Sequence, residues 1–227
     1  MTLSGSFLSA QQSTIEPTSP VFTFDQVYGP DYNLINGKKY IDWYASALGH
    51  PFLENQEFKE GWLIVRDEKF EGVQMMFNIY EQQLVLQVPA GSLGIQQIVV
   101  PNLYLERFGY QGRVFRKLNT PEKGMHYYEF LTAGRYAIVY SYDKRYTVSK
   151  SADFRGYRFS ELIVRRYIYD NTKNKRVRFK NNVTFRKAFP PEMKENIRSF
   201  MKDKKIRLRK AGRTELTVLM DYINEID

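Results

Sequence analysis

His50 and His126 are the only two imidazoles in the chain, and neither stands beside the partners that histidine chemistry uses. Nucleophilic catalysis by serine usually enlists a histidine as base, yet no serine sits in a Gly-x-Ser-x-Gly elbow. His126 lies in Met125-His126-Tyr127-Tyr128-Glu129-Phe130, where strand alternation places it on one face with Tyr128 and Phe130. It reads either as a general base or as a histidine packed among aromatic rings, and a lone histidine carries little motif information. His50 precedes Pro51, which biases it toward extended backbone. It caps a loop or lines a cleft.

A zinc site takes three or four N, S or O ligands at workable spacing. With no cysteine and two distant histidines, no such spacing is visible. Gly37-Lys38-Lys39 lacks the upstream glycine and the Ser/Thr of a phosphate-binding loop. A carboxylate pair for hydrolysis could come from any two of the 25 acids, as in most proteins of this size. The sequence therefore names no catalytic residue, no metal ligand and no cofactor.

The richest constellation runs from Arg165 to Lys180. With Asn171 to Asn174 in a turn, Tyr169 faces Arg176, Tyr167 faces Arg178, and Arg165 faces Lys180. Ile168 then opposes Val177, with Phe179 on that same, more apolar face, which is expected to point inward. The first face interleaves two tyrosines with four cations. That mixture suits stacking on bases or sugars and contact with phosphates or sulfates. The alternative is an ordinary solvated sheet face whose tyrosines cover their neighbours. Arg165, Tyr167, Tyr169, Arg176, Arg178 and Lys180 are the candidate binding residues.

These side chains need a scaffold, and the pattern points to sheet. In 227 residues, hydrophobic types make up 43% and aromatics 15%, enough for a packed core and rich in the flat side chains that suit pleated surfaces. Strand-like runs are Trp62–Val65, Phe70–Ile79, Leu84–Val88, Ile95–Val100, Leu103–Phe108, Val114–Leu118, Met125–Leu131, Tyr136–Tyr142, Arg158–Tyr169 and Lys175–Lys180. Several alternate apolar and polar residues, as half-buried antiparallel strands do. Asn36-Gly37 between apolar flanks is a hairpin signal, and Gly49–Leu53 reads as a loop.

Helical spacing is clear only at the end. Pro191 sits at a first helical position, with Met193, Ile197, Phe200 and Met201 on one face. Ile206–Arg209 alternates as an extended piece. A second helix then places Leu216, Leu219, Met220 and Ile223 together, with Val218 and Tyr222 on a neighbouring face. The expected fold is mainly β, an antiparallel meander forming a barrel or curled sandwich with a C-terminal two-helix segment. Its divisions are residues 1–21 as leader-like or disordered, 22–188 as a β domain and 189–227 as a helical segment.

The formal charge of +9 is regional, because Arg165 to Arg213 holds 18 Lys/Arg against 4 Asp/Glu. A polyanion, nucleic acid or acidic glycan, would be drawn to that last third. No apolar run reaches the roughly 18 residues of a membrane-spanning helix. Met1–Gln12 is small and apolar and ends near Ser9-Ala10-Gln11, like the tail of a secretory signal peptide without its basic start. A disordered terminus is the alternative.

Asn36–Tyr40, Gly49–Leu53, the Arg- and Tyr-rich late hairpin and the ending from Met193 to Tyr222 together resemble a family of uncharacterised secreted proteins of Bacteroidota-type bacteria. The ending is the most specific part: a Lys-rich first helix, the basic piece Lys204 to Lys210, then a closing helix with an aromatic near its end. The resemblance implies export and a periplasmic or secreted location. It implies no activity. The expectation for function is a non-enzymatic envelope protein that binds an unknown protein or ligand. A polyanion binder and a hydrolase with an unrecognised carboxylate site are the alternatives.

Overall fold

A computed structural model describes residues 37–89, 94–120, 123–149 and 154–227. The leader-like start and Asn33 to Asn36 of the proposed hairpin lie outside these. Thirteen strands are present: β1 (Lys38–Lys39), β2 (Lys59–Val65), β3 (Glu68–Asn78), β4 (Gln83–Pro89), β5 (Ile95–Val99), β6 (Leu105–Tyr110), β7 (Arg113–Thr120), β8 (Gly124–Phe130), β9 (Tyr136–Asp143), β10 (Tyr146–Val148), β11 (Tyr157–Phe159), β12 (Ile163–Asp170) and β13 (Lys175–Phe179). Three helices follow, α1 (Asn182–Arg186), α2 (Lys194–Asp203) and α3 (Arg213–Glu225), with a 3-10 turn at Pro191–Met193.

Eleven strands form one antiparallel sheet in the order β1-β5-β4-β3-β2-β6-β7-β8-β9-β12-β13, and β10 pairs with β11 apart from it. The sheet ends on β1 and β13, which do not pair with each other, so it is not closed into a barrel. Turn chemistry sets the meander. Gln111 and Gly112 both take positive φ between β6 and β7, and Arg66 and Asp67 do so between β2 and β3. That backbone matches the right-handed twist of the flanking strands.

Both faces of the sheet carry apolar residues, which explains why alternation is weak in some strands. One face gathers Leu63, Phe77, Leu86, Phe108, Phe115 and Tyr127. Rings of Phe77, Phe108, Phe115 and Tyr127 meet there at centroid distances of 4.9 to 5.9 Å. At the other end of the sheet, Ile138, Ile168 and Phe179 are covered by Phe185, Ile197, Leu219 and Ile223 from the helices. Tyr140 packs against both clusters. On the opposite face Leu118, Tyr128, Val139, Tyr167 and Tyr169 form a third cluster.

Three local expectations are corrected. The run Arg158–Tyr169 is two strands, β11 and β12, separated at Ser160 to Leu162 and belonging to different sheets. Apart from these, the described part of the Asn-Gly segment, Lys38–Lys39, pairs with the distant β5 at Val99 and Ile98, and the first half of that proposed hairpin lies outside the described residues. Ile206–Arg209 is not extended strand but turns, although Ile206 and Leu208 are buried and Arg207 and Arg209 exposed as alternation requires. The short α1 stands within residues 22–188, the span expected to be the β domain. Asn181 caps it, its side chain accepting from Val183 and Thr184 N–H while Thr184 Oγ1 accepts from Asn181 N–H.

Candidate functional site

The late hairpin has the register expected of it. Tyr169 pairs with Arg176, Tyr167 with Arg178 and Ile168 with Val177, while Phe179 lies opposite Arg166. Ile168 and Phe179 point under the helices. Tyr167 and Tyr169 are only 8% and 7% exposed. Tyr167 meets Tyr128 edge-on at 6.1 Å, and Tyr169 meets Phe130 edge-on at 5.8 Å and donates to Asn174 Oδ1 at 2.6 Å. Arg176 lies over the Tyr128 and Tyr167 rings and donates to the Tyr128 hydroxyl. Arg165 pairs with Asp143. Arg178 and Lys180 are exposed. Of the four candidate cations, Arg178 and Lys180 face outward, Arg165 and Arg176 are engaged, and the two tyrosine rings reach across β9 to β8.

A different surface brings polar groups and open aromatic rings together. Its centre is the β3–β4 turn, residues 79–82. Asn78 Oδ1 accepts from Tyr80 and Glu81 N–H, and Gln82, at φ 57, donates from Nε2 to Ile79 O at 2.6 Å. Gln82 Oε1 accepts from Tyr127 N–H at 2.8 Å, so the turn is tied to β8. Asn102 Nδ2 donates to Gln82 O at 3.0 Å. These bonds hold Glu81 outward, where it accepts from the Tyr44 hydroxyl at 2.7 Å. Tyr44 also packs edge-on against Tyr80, Tyr146 and Phe159 at 5.0 to 5.5 Å. The small β10–β11 hairpin is thereby fixed beside the turn.

Two cavities meet at this turn. One, of about 560 Å³, runs from Lys38 and Lys39 past Tyr40 and Trp43 to Glu81 and Asn102. The second, of about 420 Å³, continues from Glu81 and Asn102 past Tyr80 to Lys123, His126, Asp143 and Lys144. They share Glu81 and Asn102 in their linings, so they adjoin at the turn and are together called the groove. Trp43 is 72% exposed and Tyr80 40% exposed.

The ionisable groups at the far end are tightly matched. Burial raises the Asp143 carboxyl, but a hydrogen bond and charge from Lys123, a hydrogen bond from Ser141 and the His126 charge outweigh it, and the net shift is downward. Arg165 pairs with the same carboxylate. Burial, then Lys123, push the His126 imidazole down to about 4 against the opposing pull of Asp143, with Arg176 and Arg165 adding to the fall. His126 is therefore neutral at pH 7. Its Nε2 has no hydrogen-bond partner and lies 4.0 Å from Asp143 Oδ1. Burial, ahead of Lys144, also lowers His50, whose Nδ1 accepts from Phe52 N–H at 3.2 Å. His50 O accepts from Lys144 Nζ at 2.8 Å. His50 caps its loop, the plainer of its two readings.

This groove gathers His126 with Asp143 and Glu81, the grouping an acid–base site would use. A general base must reach its proton at about 2.6–3.2 Å and titrate near the working pH. His126 titrates far below neutrality, Asp143 is saturated by Lys123, Arg165 and Ser141, and Glu81 is engaged by Tyr44. Among the described residues no three His, Cys, Asp or Glu side chains gather as metal ligands would. None of the described helices is long and apolar enough to cross a membrane.

Sequence reasoning placed His126 on the correct strand face but not beside Asp143, and it passed over Trp43, Tyr44, Tyr80 and Glu81. The one signal was the cluster of aromatic and acidic residues from Tyr40 to Tyr44 and at Tyr80-Glu81, which acquires meaning only when β10–β11 brings Tyr146 and Phe159 to it. Comparison with protein-family models, with curated proteins and with solved structures finds no match.

Proposed function

We propose that the protein binds a ligand without transforming it, holding an extended, hydroxyl-rich chain such as a glycan segment along the groove from Trp43 to His126. The reading rests on one observation. Two cavities join at Glu81 and Asn102, with the exposed ring of Trp43 in one and that of Tyr80 in the other. Exposed rings supply apolar platforms, and a few convergent carboxylate, amide and ammonium groups supply orientation. Lys38, Lys39 and Lys144 favour a ligand that carries some negative charge. An envelope location, which the leader-like start and the family resemblance imply, is part of the same proposal. So is a curled-sandwich description of the open sheet, both of whose faces carry buried apolar clusters.

The experiment is calorimetric titration with short neutral and acidic oligosaccharides. Binding is expected to weaken by at least tenfold in Trp43→Ala and Glu81→Gln, with melting temperature unchanged, because Trp43 is exposed and Glu81 half-buried. Arg178→Ala and Lys180→Ala, on the late hairpin, should bind as the parent does. Loss in the hairpin variants with none in the groove variants would transfer the site to the hairpin.

A further inference from the structure

The helical C-terminus holds a further cavity, of about 400 Å³, between α1 and the end of α2. Five cations line it, Arg186, Arg198, Lys202, Lys205 and Arg207, and no carboxylate does. Arg198 has one ion pair, to Glu195 at 3.6 Å, and both side chains are largely exposed. Gathering like charges destabilises the folded chain unless something offsets the repulsion. Beneath the cations Met201 and Ile206 are buried and form an apolar floor.

The backbone provides an independent sign. Helix α2 ends with Lys205 N–H donating to Lys202 O at 3.1 Å and Ile206 N–H donating to Met201 O at 2.8 Å. That is a Schellman ending, in which the left-handed residue is ordinarily glycine. Here the residue is Lys205, at φ +55. A lysine in that conformation carries a backbone cost that glycine avoids, and its side chain lines the cavity. The conformation fixes where this lysine leaves the backbone, at the end of α2 and on the lining of the cavity.

Neighbouring groups are preset. Asn182 Oδ1 accepts from Leu208 N–H at 3.2 Å, which turns the amide NH₂ of Asn182 away as a donor. Arg186 Nε donates to Asn182 O at 3.3 Å, which fixes the plane of the guanidinium and leaves its terminal nitrogens available to a ligand. Arginine forks and lysine point charges are the side chains that recognise tetrahedral oxyanions.

We propose that this cavity is a phosphate site, taking the terminal phosphate of a monoester, with Arg186, Lys205 and Arg207 as its principal ligands. The site is separate from the groove and does not depend on the glycan reading. The phosphate could arrive on a soluble metabolite or on a lipid headgroup, and the chemistry of recognition is the same.

Inorganic phosphate is titrated at constant ionic strength, with chloride replaced, while the melting temperature is followed. Phosphate at ten times its Kd should raise the melting temperature by about 3 °C. Lys205→Gly is the decisive variant. It relieves backbone strain, so its melting temperature without phosphate should equal or exceed the parent's, while its phosphate affinity falls by about fivefold. Arg186→Met should weaken binding at least as much. Vesicles of phosphatidylcholine with and without phosphatidic acid separate the sources. Response to free phosphate alone supports the proposal and a soluble ligand, and response to both supports it and a lipid. A response to vesicles without any to free phosphate overturns it in favour of general surface adsorption. Equal responses to phosphate and chloride, or unchanged affinity in Lys205→Gly and Arg186→Met, also overturn it.

Discussion

Arg213, the first residue of α3, pairs with the carboxylate of Glu129 on β8, a side chain only 1% exposed. The other oxygen of Glu129 accepts from the Tyr142 hydroxyl on β9. Arg213 also lies over the ring of Tyr140, which packs against both large apolar clusters. The last helix is therefore clasped to the sheet by a charge pair set at the junction of two cores.

Breaking such a pair from one side leaves the partner buried without compensation. Arg213→Met should cost about 3 kcal/mol in urea unfolding. Adding Glu129→Gln removes the stranded charge and should recover a large part of that loss. A double variant as unstable as the sum of the two singles would show that the two groups do not interact.

Asn224 performs the same task at the other end of α3. Its Oδ1 accepts from Tyr136 N–H at 2.9 Å, and its Nδ2 donates to the carbonyls of Tyr136, Met220 and Ala133 at 2.9 to 3.3 Å. Gly134, at φ +101, lies so close that an added Cβ would stand 2.6 Å from the amide. Asn224→Leu should cost about 2–3 kcal/mol, since it leaves the Tyr136 backbone groups without partners. Gly134→Ala should cost a similar amount by displacing the same amide. The double variant should fall well short of the sum, measured by chemical unfolding.

Most of the sheet was legible because period-two alternation and turn residues specify strands locally. The register of β12 with β13 followed from placing Asn171 to Asn174 in the turn, and Asn174 does take the left-handed conformation, at φ 48. The helical faces of Met193, Ile197 and Met201, and of Leu216, Leu219, Met220 and Ile223, are buried as their spacing requires. What stayed hidden was non-local. Sequence spacing cannot say that β1 pairs with β5 across the intervening strands, or that Tyr44 lies against Tyr146. The tyrosines of the late hairpin show the same limit. Alternation placed Tyr167 and Tyr169 on one face, but only the position of Tyr128 and Phe130 on β8, one strand beyond β9, decides that the face is covered.

His126 gives the fold a pH dependence whose sign is fixed by its depressed titration. The imidazole ordinarily titrates near 6.5 and here near 4. Between those values the unfolded chain takes up a proton that the folded chain refuses, so stability falls as pH drops through that window and levels below about 4. The contribution from pH 7.5 to 4.5 is roughly 2–3 kcal/mol. His50, lowered by burial and Lys144, acts in the same direction, so the comparison must be made between variants. His126→Gln should flatten the pH dependence of urea unfolding over this range relative to the parent. An unchanged slope would mean that His126 accepts its proton in the fold near the ordinary value.

The two tryptophans report on separate regions, which makes the groove testable without a label. Trp62 on β2 lies across Gly109 on β6, so close that a Cβ on Gly109 would stand 2.0 Å from its Nε1. Trp62 is half-buried and lines neither cavity of the groove. Trp43 is open to solvent in the groove. Acrylamide should quench the parent more than Trp43→Phe, because the variant retains only the half-buried Trp62. A ligand seated along the groove should then protect the parent from quenching and leave Trp43→Phe unaffected. Protection that persists in Trp43→Phe would place the ligand against Trp62 or elsewhere on the sheet, and the groove would lose its claim to be the site.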